Sequence, residues 1–157
     1  MTPTARRTGR GDVIVPGLRI TGTVRTMRWQ LFVVLALAGC PTSSPPDCIT
    51  VDTACAPLYA PTFDNVYTMT LQPDCGASRG SCHSATGHKG GMSFETADAA
   101  YQALVTDGRV TPGDPGCSLM IVRTSSPGET YQMPPGSPLI EAERCALIQW
   151  VASGAPR

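Results

Sequence analysis

Cys75-Gly76-Ala77-Ser78-Arg79-Gly80-Ser81-Cys82-His83 sets two cysteines and a histidine within nine residues, and the segments on either side of it decide the fold. Upstream, the stretch from Thr62 to Pro73 puts Phe63, Val66, Tyr67 and Leu71 at i, i+3, i+4 and i+8. That is one face of an amphipathic helix, with Thr62 as its N-cap and Pro73 as its stop just before the first cysteine. Downstream, Gly90-Gly91-Met92-Ser93-Phe94 leads to Thr96, which caps a helix over 97–105 with Ala97, Ala100, Tyr101, Leu104 and Val105 on one face. In Val110-Thr111-Pro112-Gly113-Asp114-Pro115, Asp114 reads as the N-cap and Pro115 as the first residue of a short helix through Arg123. After Tyr131-Gln132-Met133-Pro134-Pro135-Gly136, Ser137 and Pro138 open a last helix that runs to Ser153, with Gly154 as its C-terminal stop. The pattern predicts a mostly α domain whose helices are joined by long loops.

The chain outside this domain has a different composition. Its 157 residues carry 12 Lys+Arg and 12 Asp+Glu, but the balance is uneven. Residues 1–39 hold six arginines and one acid, whereas residues 40–157 hold six basic and 11 acidic residues. A basic leader precedes an acidic body, and an acidic body excludes nucleic acid as the expected partner, because phosphate binding needs a basic surface. The body is long enough for one small domain, expected to be a monomer. From Met27 the leader reads MRWQLFVVLALAGC: one arginine, then an apolar run of eight residues from Leu31 to Ala38. That run has signal-peptide length and falls short of the roughly 20 residues of a spanning helix. Its end, Leu37-Ala38-Gly39-Cys40, resembles the bacterial lipobox, which implies lipidation of Cys40 and, with Pro41 rather than aspartate next, the outer membrane. Met27 supplies a complete signal by itself and is the expected start. Three regions follow from this: a leader over 1–39, a lipidated Pro/Ser tether over 40–61 expected to be disordered, and the domain over 62–157.

Seven cysteines occur. With Cys40 lipidated, six remain, and an even count in an exported chain reads as disulfides, with 15 connectivities open. Cys48–Cys55 is the expected local pair in the tether, and Cys117–Cys145 the expected staple between two helices. Cys75 and Cys82 are left beside His83.

The Cys82-His83 adjacency resembles the Cys-x-x-Cys-His attachment motif of c-type cytochromes, in which two thioether bonds hold haem and the histidine binds its iron. Six residues separate the cysteines here where that family has two, and Arg79 stands three before Cys82. Three readings stay open: an expanded loop with both cysteines attached, attachment through Cys82 alone, or a Cys75–Cys82 disulfide and no haem. The wider order of motifs resembles the cytochrome c-like domains of envelope proteins, especially the planctomycete-type branch. The matching residues are Gln72-Pro73-Asp74-Cys75, Cys82-His83, Gly90-Gly91-Met92, Ala100-Tyr101-Gln102-Ala103-Leu104, Pro112-Gly113-Asp114-Pro115 with Ser118, Met133-Pro134-Pro135, and Ile148-Gln149-Trp150 through Gly154-Ala155-Pro156. The resemblance spans roughly residues 62–156. It implies haem c, with His83 as proximal ligand and Met133, 50 residues later, as the second axial ligand. A thioether favours Fe(II), and two prolines after Met133 stiffen its loop. The implied function is one-electron transfer with a redox partner protein, without substrate chemistry. The alternative is a haem-free, disulfide-stabilised envelope lipoprotein acting as a binding or structural module.

Other constellations are weaker. Cys75, Cys82, His83 and His88 could form a Cys2His2 zinc site, but adjacent Cys82 and His83 rarely both point inward, and His88 beside Lys89 reads as solvent-facing. Gly87–Gly91 lacks the strand and helix of a phosphate loop. Ser93 and Ser118 have no His/Asp partner at useful spacing for a hydrolase triad, and Asp107 and Asp114 read as turn and cap residues. Met69, Met92 and Met120 read as core, as does Trp150.

Overall fold

Thr62 starts the first helix as its spacing predicts: its hydroxyl accepts from the Asn65 N–H at 3.4 Å and Asp64 lies in the first turn. The computed structural model describes residues 44–76 and 82–157; the expected leader, the expected lipidation site Cys40 and Arg79 lie outside them. Helix α1 begins as Phe63–Val66 and continues in a wider π winding through Tyr67–Cys75. Pro73 therefore lies inside the helix rather than ending it. A proline has no N–H to give and crowds the carbonyl four residues back. In the wider pattern, seen where Gly76 N–H reaches Leu71 C=O at 2.9 Å, that i−4 bond is not required. Helix α2 begins at Ala97–Tyr101 under the Thr96 cap, whose hydroxyl accepts from Ala99 N–H at 3.2 Å, and widens over Gln102–Thr106.

Helix α3 is Leu119–Thr124, shorter than the sequence pattern suggests. Asp114 accepts from Cys117 N–H at 3.1 Å and closes a turn instead of capping the helix. The hydroxyl of Ser118, fully buried, binds the Thr111 N–H and the Asp114 carbonyl, both at 2.8 Å, and locks that turn onto the helix start. Helix α4, Glu141–Ala152, also starts later than Ser137-Pro138 suggests. Glu143 supplies the start signal by accepting from Ile140 N–H at 3.2 Å, the return half of a capping box. Gly154, at φ 100°, ends the helix as expected. No strand forms among the described residues, and the architecture is the mostly α domain that the sequence predicts.

The core lies where α1, α2 and α4 meet. Phe63 stands edge-on to Tyr101 (5.0 Å, 83°) and 5.5 Å from the fully buried Trp150. Trp150 donates to Pro156 C=O at 2.9 Å, which folds the C-terminal residues back under the core and confirms its structural role. Such aromatic pairs add about 0.5–1.5 kcal/mol beyond the area they bury. Met69, expected in the core, is 51% exposed on the outer face of α1.

The segment read as a free tether is bound to the body from Cys48 onward. Ile49 N–H bonds Gly116 C=O and Leu58 N–H bonds Ala142 C=O, both at 2.9 Å. Gln149 on α4 donates to Cys55 C=O at 2.8 Å, and Tyr59 and Thr70 share a hydrogen bond between their hydroxyls. Gly116 permits this approach, since a Cβ there would stand 2.6 Å from the Ile49 carbonyl oxygen. The same geometry corrects the disulfides. The bonds are Cys48–Cys117 and Cys55–Cys145, not Cys48–Cys55 and Cys117–Cys145. The bond from Ile49 to Gly116 sets Cys48 beside Cys117, and the bond from Gln149 to Cys55 C=O sets Cys55 beside α4, where Cys145 lies. No helix among the described residues is long and apolar enough to cross a membrane.

Candidate functional site

His83 lies eight residues after the end of α1 and is held by its backbone on both sides. Its N–H reaches Cys75 C=O at 3.2 Å, and its own C=O accepts from Phe94 N–H at 2.6 Å. The imidazole is buried, 7% exposed, with its centre 5.1 Å from the Phe94 ring. Its Nδ1 lies 2.9 Å from Lys89 C=O. A carbonyl can only accept, so Nδ1 carries the proton and Nε2 keeps a lone pair for a ligand. Burial pushes the imidazole below its ordinary value of 6.5; the bond to Lys89 C=O opposes this, and the charges of Arg109 and Arg123 add to the lowering. The ring is therefore neutral at neutral pH, the form that binds metals.

Met133 reaches the same place from the loop between α3 and α4. Its N–H bonds Arg123 C=O at 3.0 Å. Buried Gln132 braces the loop on both sides of it, accepting from Gly128 N–H at 2.6 Å and donating to Pro134 C=O at 2.8 Å. His83 and Met133 together line a cavity of about 300 Å³ and an adjoining cleft of about 840 Å³. Leu71, Phe94, Leu104 and Leu147 give the cavity apolar walls. Met92 and Met120, expected as core, pack against the core and also face this cavity.

Cys75 and Cys82 both line the cleft, and neither is in a disulfide. Cys82 is exposed. Burial, with the nearby carboxylates of Asp74 and Glu143, pushes the Cys75 thiol up to about 12, so it stays protonated. The Cys75–Cys82 bridge, one of the alternatives open from sequence, is not present in this structure, where the other four described cysteines are paired. His88 is exposed and left-handed at φ 43°. Among the described residues no three or more His, Cys, Asp and Glu side chains are grouped as a metal site.

The charge around the cavity is one-sided. Among the described residues, Lys89, Arg109 and Arg123 line it and no carboxylate does, whereas Asp74 and Glu143 line the adjoining cleft. These three cations come from a turn, a connector and α3, and nothing in their sequence spacing foretells that they meet. The donor set fits haem on each count: a neutral imidazole with Nε2 available, a thioether in the same cavity, two unpaired thiols at its mouth, apolar walls, and cations to face two carboxylates.

No curated protein and no solved structure matches the chain. Residues 80–137, which contain Cys82, His83, all three cavity cations and Met133, match the family model described as planctomycete cytochrome C.

Proposed function

We propose that this protein is a one-electron carrier of the cell envelope, with haem attached through Cys82 and Cys75 and ligated by His83 and Met133. One observation carries the reading: in a chain whose other described cysteines are paired, Cys75 and Cys82 are unpaired and share one cleft with His83 and Met133. Haem, when bound, supplies the reversible Fe(III)/Fe(II) couple. The chain contributes position and surroundings. The Lys89 carbonyl fixes the His83 tautomer and raises the basicity of Nε2. Gln132 holds the Met133 loop in place, and the Leu71, Leu104 and Leu147 walls keep water out. Lys89, Arg109 and Arg123 would offset the negative charge of the haem's own carboxylates. The chemistry asks no residue to act as acid, base or nucleophile on a substrate, so the protein is a carrier rather than an enzyme. Signal and lipobox composition support an anchor at Cys40, facing an unidentified redox partner protein.

The test is the absorption spectrum of the purified protein after acid-acetone extraction. A Soret band that stays with the protein means covalent haem. A colourless protein sinks the reading and favours the haem-free binding module.

A further inference from the structure

We infer that Arg109 is a positioning residue for His83, acting through the Lys89–Gly91 turn. The inference rests on the haem reading and deepens it, since it assigns a role toward the proposed ligand. The turn that presents Lys89 C=O to His83 needs support. Gly90 and Gly91 take positive φ, 66° and 70°, at no steric cost but with much freedom to lose, and His88, at φ 43°, carries a side chain where one is disfavoured. Residues 88–91 are exposed, so no apolar burial holds them down. Their local bonds are few: Lys89 N–H to Cys82 C=O at 2.8 Å, His88 N–H to Ser84 C=O at 2.9 Å and Gly91 N–H to His88 C=O at 3.1 Å.

Arg109 supplies the support from inside. Its Nη2 donates to Gly90 C=O at 2.9 Å and its Nη1 to Ala103 C=O at 2.8 Å. Ala103 lies in the last turn of α2, where a helix leaves carbonyls without partners of its own. The guanidinium thus spans from a packed helix end to the peptide next to the one that accepts from His83. The backbone of Arg109 is itself fixed. Its C=O accepts from Met120 N–H at 3.1 Å, and the next residue, Val110, is buried and bonds Leu104 C=O at 2.7 Å. The Asp107 carboxylate also touches Nη1, at 3.3 Å, but it is half exposed and such surface pairs contribute little. A rigid fork that reaches two carbonyls in fixed directions is a property of arginine; an ammonium on a flexible stem does not reproduce it.

The test uses the full chain in two states. In haem-free protein, nitrogen-15 NMR of the His83 ring reads the tautomer and the exchange of the Nδ1 proton. Wild type is expected to show the Nδ1–H form with slow exchange. Arg109→Lys, which keeps the charge, and Arg109→Gln should each speed that exchange at least tenfold, with far-UV circular dichroism unchanged. Asp107→Asn should stay within twofold of wild type. In haem-loaded protein, Arg109→Lys should raise the reduction potential, because a weaker Nδ1–H bond makes the imidazole a poorer donor to Fe(III). Wild-type exchange rates in both Arg109 variants would overturn the inference, as would an equal effect from Asp107→Asn. A colourless protein would sink the haem reading alone, since the imidazole measurement stands without it.

Discussion

Replacing Cys48 and Cys117 together by alanine, with Cys55–Cys145 left intact, should cost about 3.5 kcal/mol of stability by the chain-entropy account. A loop of 69 residues in isolation corresponds to about 4.4 kcal/mol. The loops interleave, however, in the order Cys48, Cys55, Cys117, Cys145, and the second bond already shortens the first loop. In the unfolded chain the route from Cys48 to Cys117 runs seven residues to Cys55. It then follows two arms in parallel, 62 residues directly and 28 residues back from Cys145. For a flexible chain the two arms act as roughly 19 residues, so the effective loop is roughly 26, which gives the lower figure. A domain of this size has about 5–15 kcal/mol in all, so the midpoint of thermal unfolding should fall by roughly 10–20 °C. Urea unfolding by circular dichroism measures the loss, and unreduced peptide mapping verifies that Cys55–Cys145 persists. The urea m-value should rise, because the released chain exposes more surface when unfolded. A loss under about 1 kcal/mol with the second bond intact would refute the loop argument, and a Cys48–Cys55 peptide in wild type would refute the pairing itself.

The two unpaired thiols should differ: iodoacetamide at pH 8 should label Cys82 in folded haem-free protein and reach Cys75, whose thiol is pushed up to about 12 by burial, only after unfolding. His83 sits below its unfolded value of 6.5, so the unfolded chain takes up the proton first as pH falls. Its share of stability is full above 6.5 and lost as pH drops through the lower folded value; His83→Gln should flatten that part of the pH–stability curve in haem-free protein. His83→Ala should abolish stable haem incorporation, whereas Met133→Ala should keep a Soret band, lose the weak Met–Fe(III) band and lower the potential; unchanged spectra and potential in Met133→Ala would make that residue packing only. Cys40→Ser should release the protein from membranes, and its persistence in a carbonate-washed pellet would refute the lipid anchor.

Helices with strong local signals were legible in the sequence. Thr62 and Thr96 cap where expected because a hydroxyl and an N–H three residues on form a purely local bond. Local rules also explain the misses. Asp114 makes its own short-range bond, to Cys117 N–H, and the helix start then passes to Ser118, whose burial is a tertiary fact. The strap looks like a tether because Ser, Pro and Asp dominate it, yet its carbonyls and N–H groups find partners in Gly116, Ala142 and Gln149. Disulfide pairing follows from those contacts and from nothing in the spacing. At the site, His83 and Met133 were readable because each belongs to a short motif. Arg109 and Gln132 were not, since each acts by reaching backbone carbonyls or N–H groups that only the folded chain brings near.

Covalent topology also determines how this domain bears tension. A pull between residues 44 and 157 has a short route: along the strap to Cys55, across its disulfide to Cys145, and out through the rest of α4. Everything from residue 56 to residue 144 hangs on a closed ring beside that route, and Cys75, Cys82, His83, Arg109 and Met133 are all on it. Cys48 is also bonded to Cys117, so tension entering there divides between the strap and the body until the seven residues to Cys55 are taut. With both disulfides intact, that short strap limits how far the ring that carries the site can be drawn out.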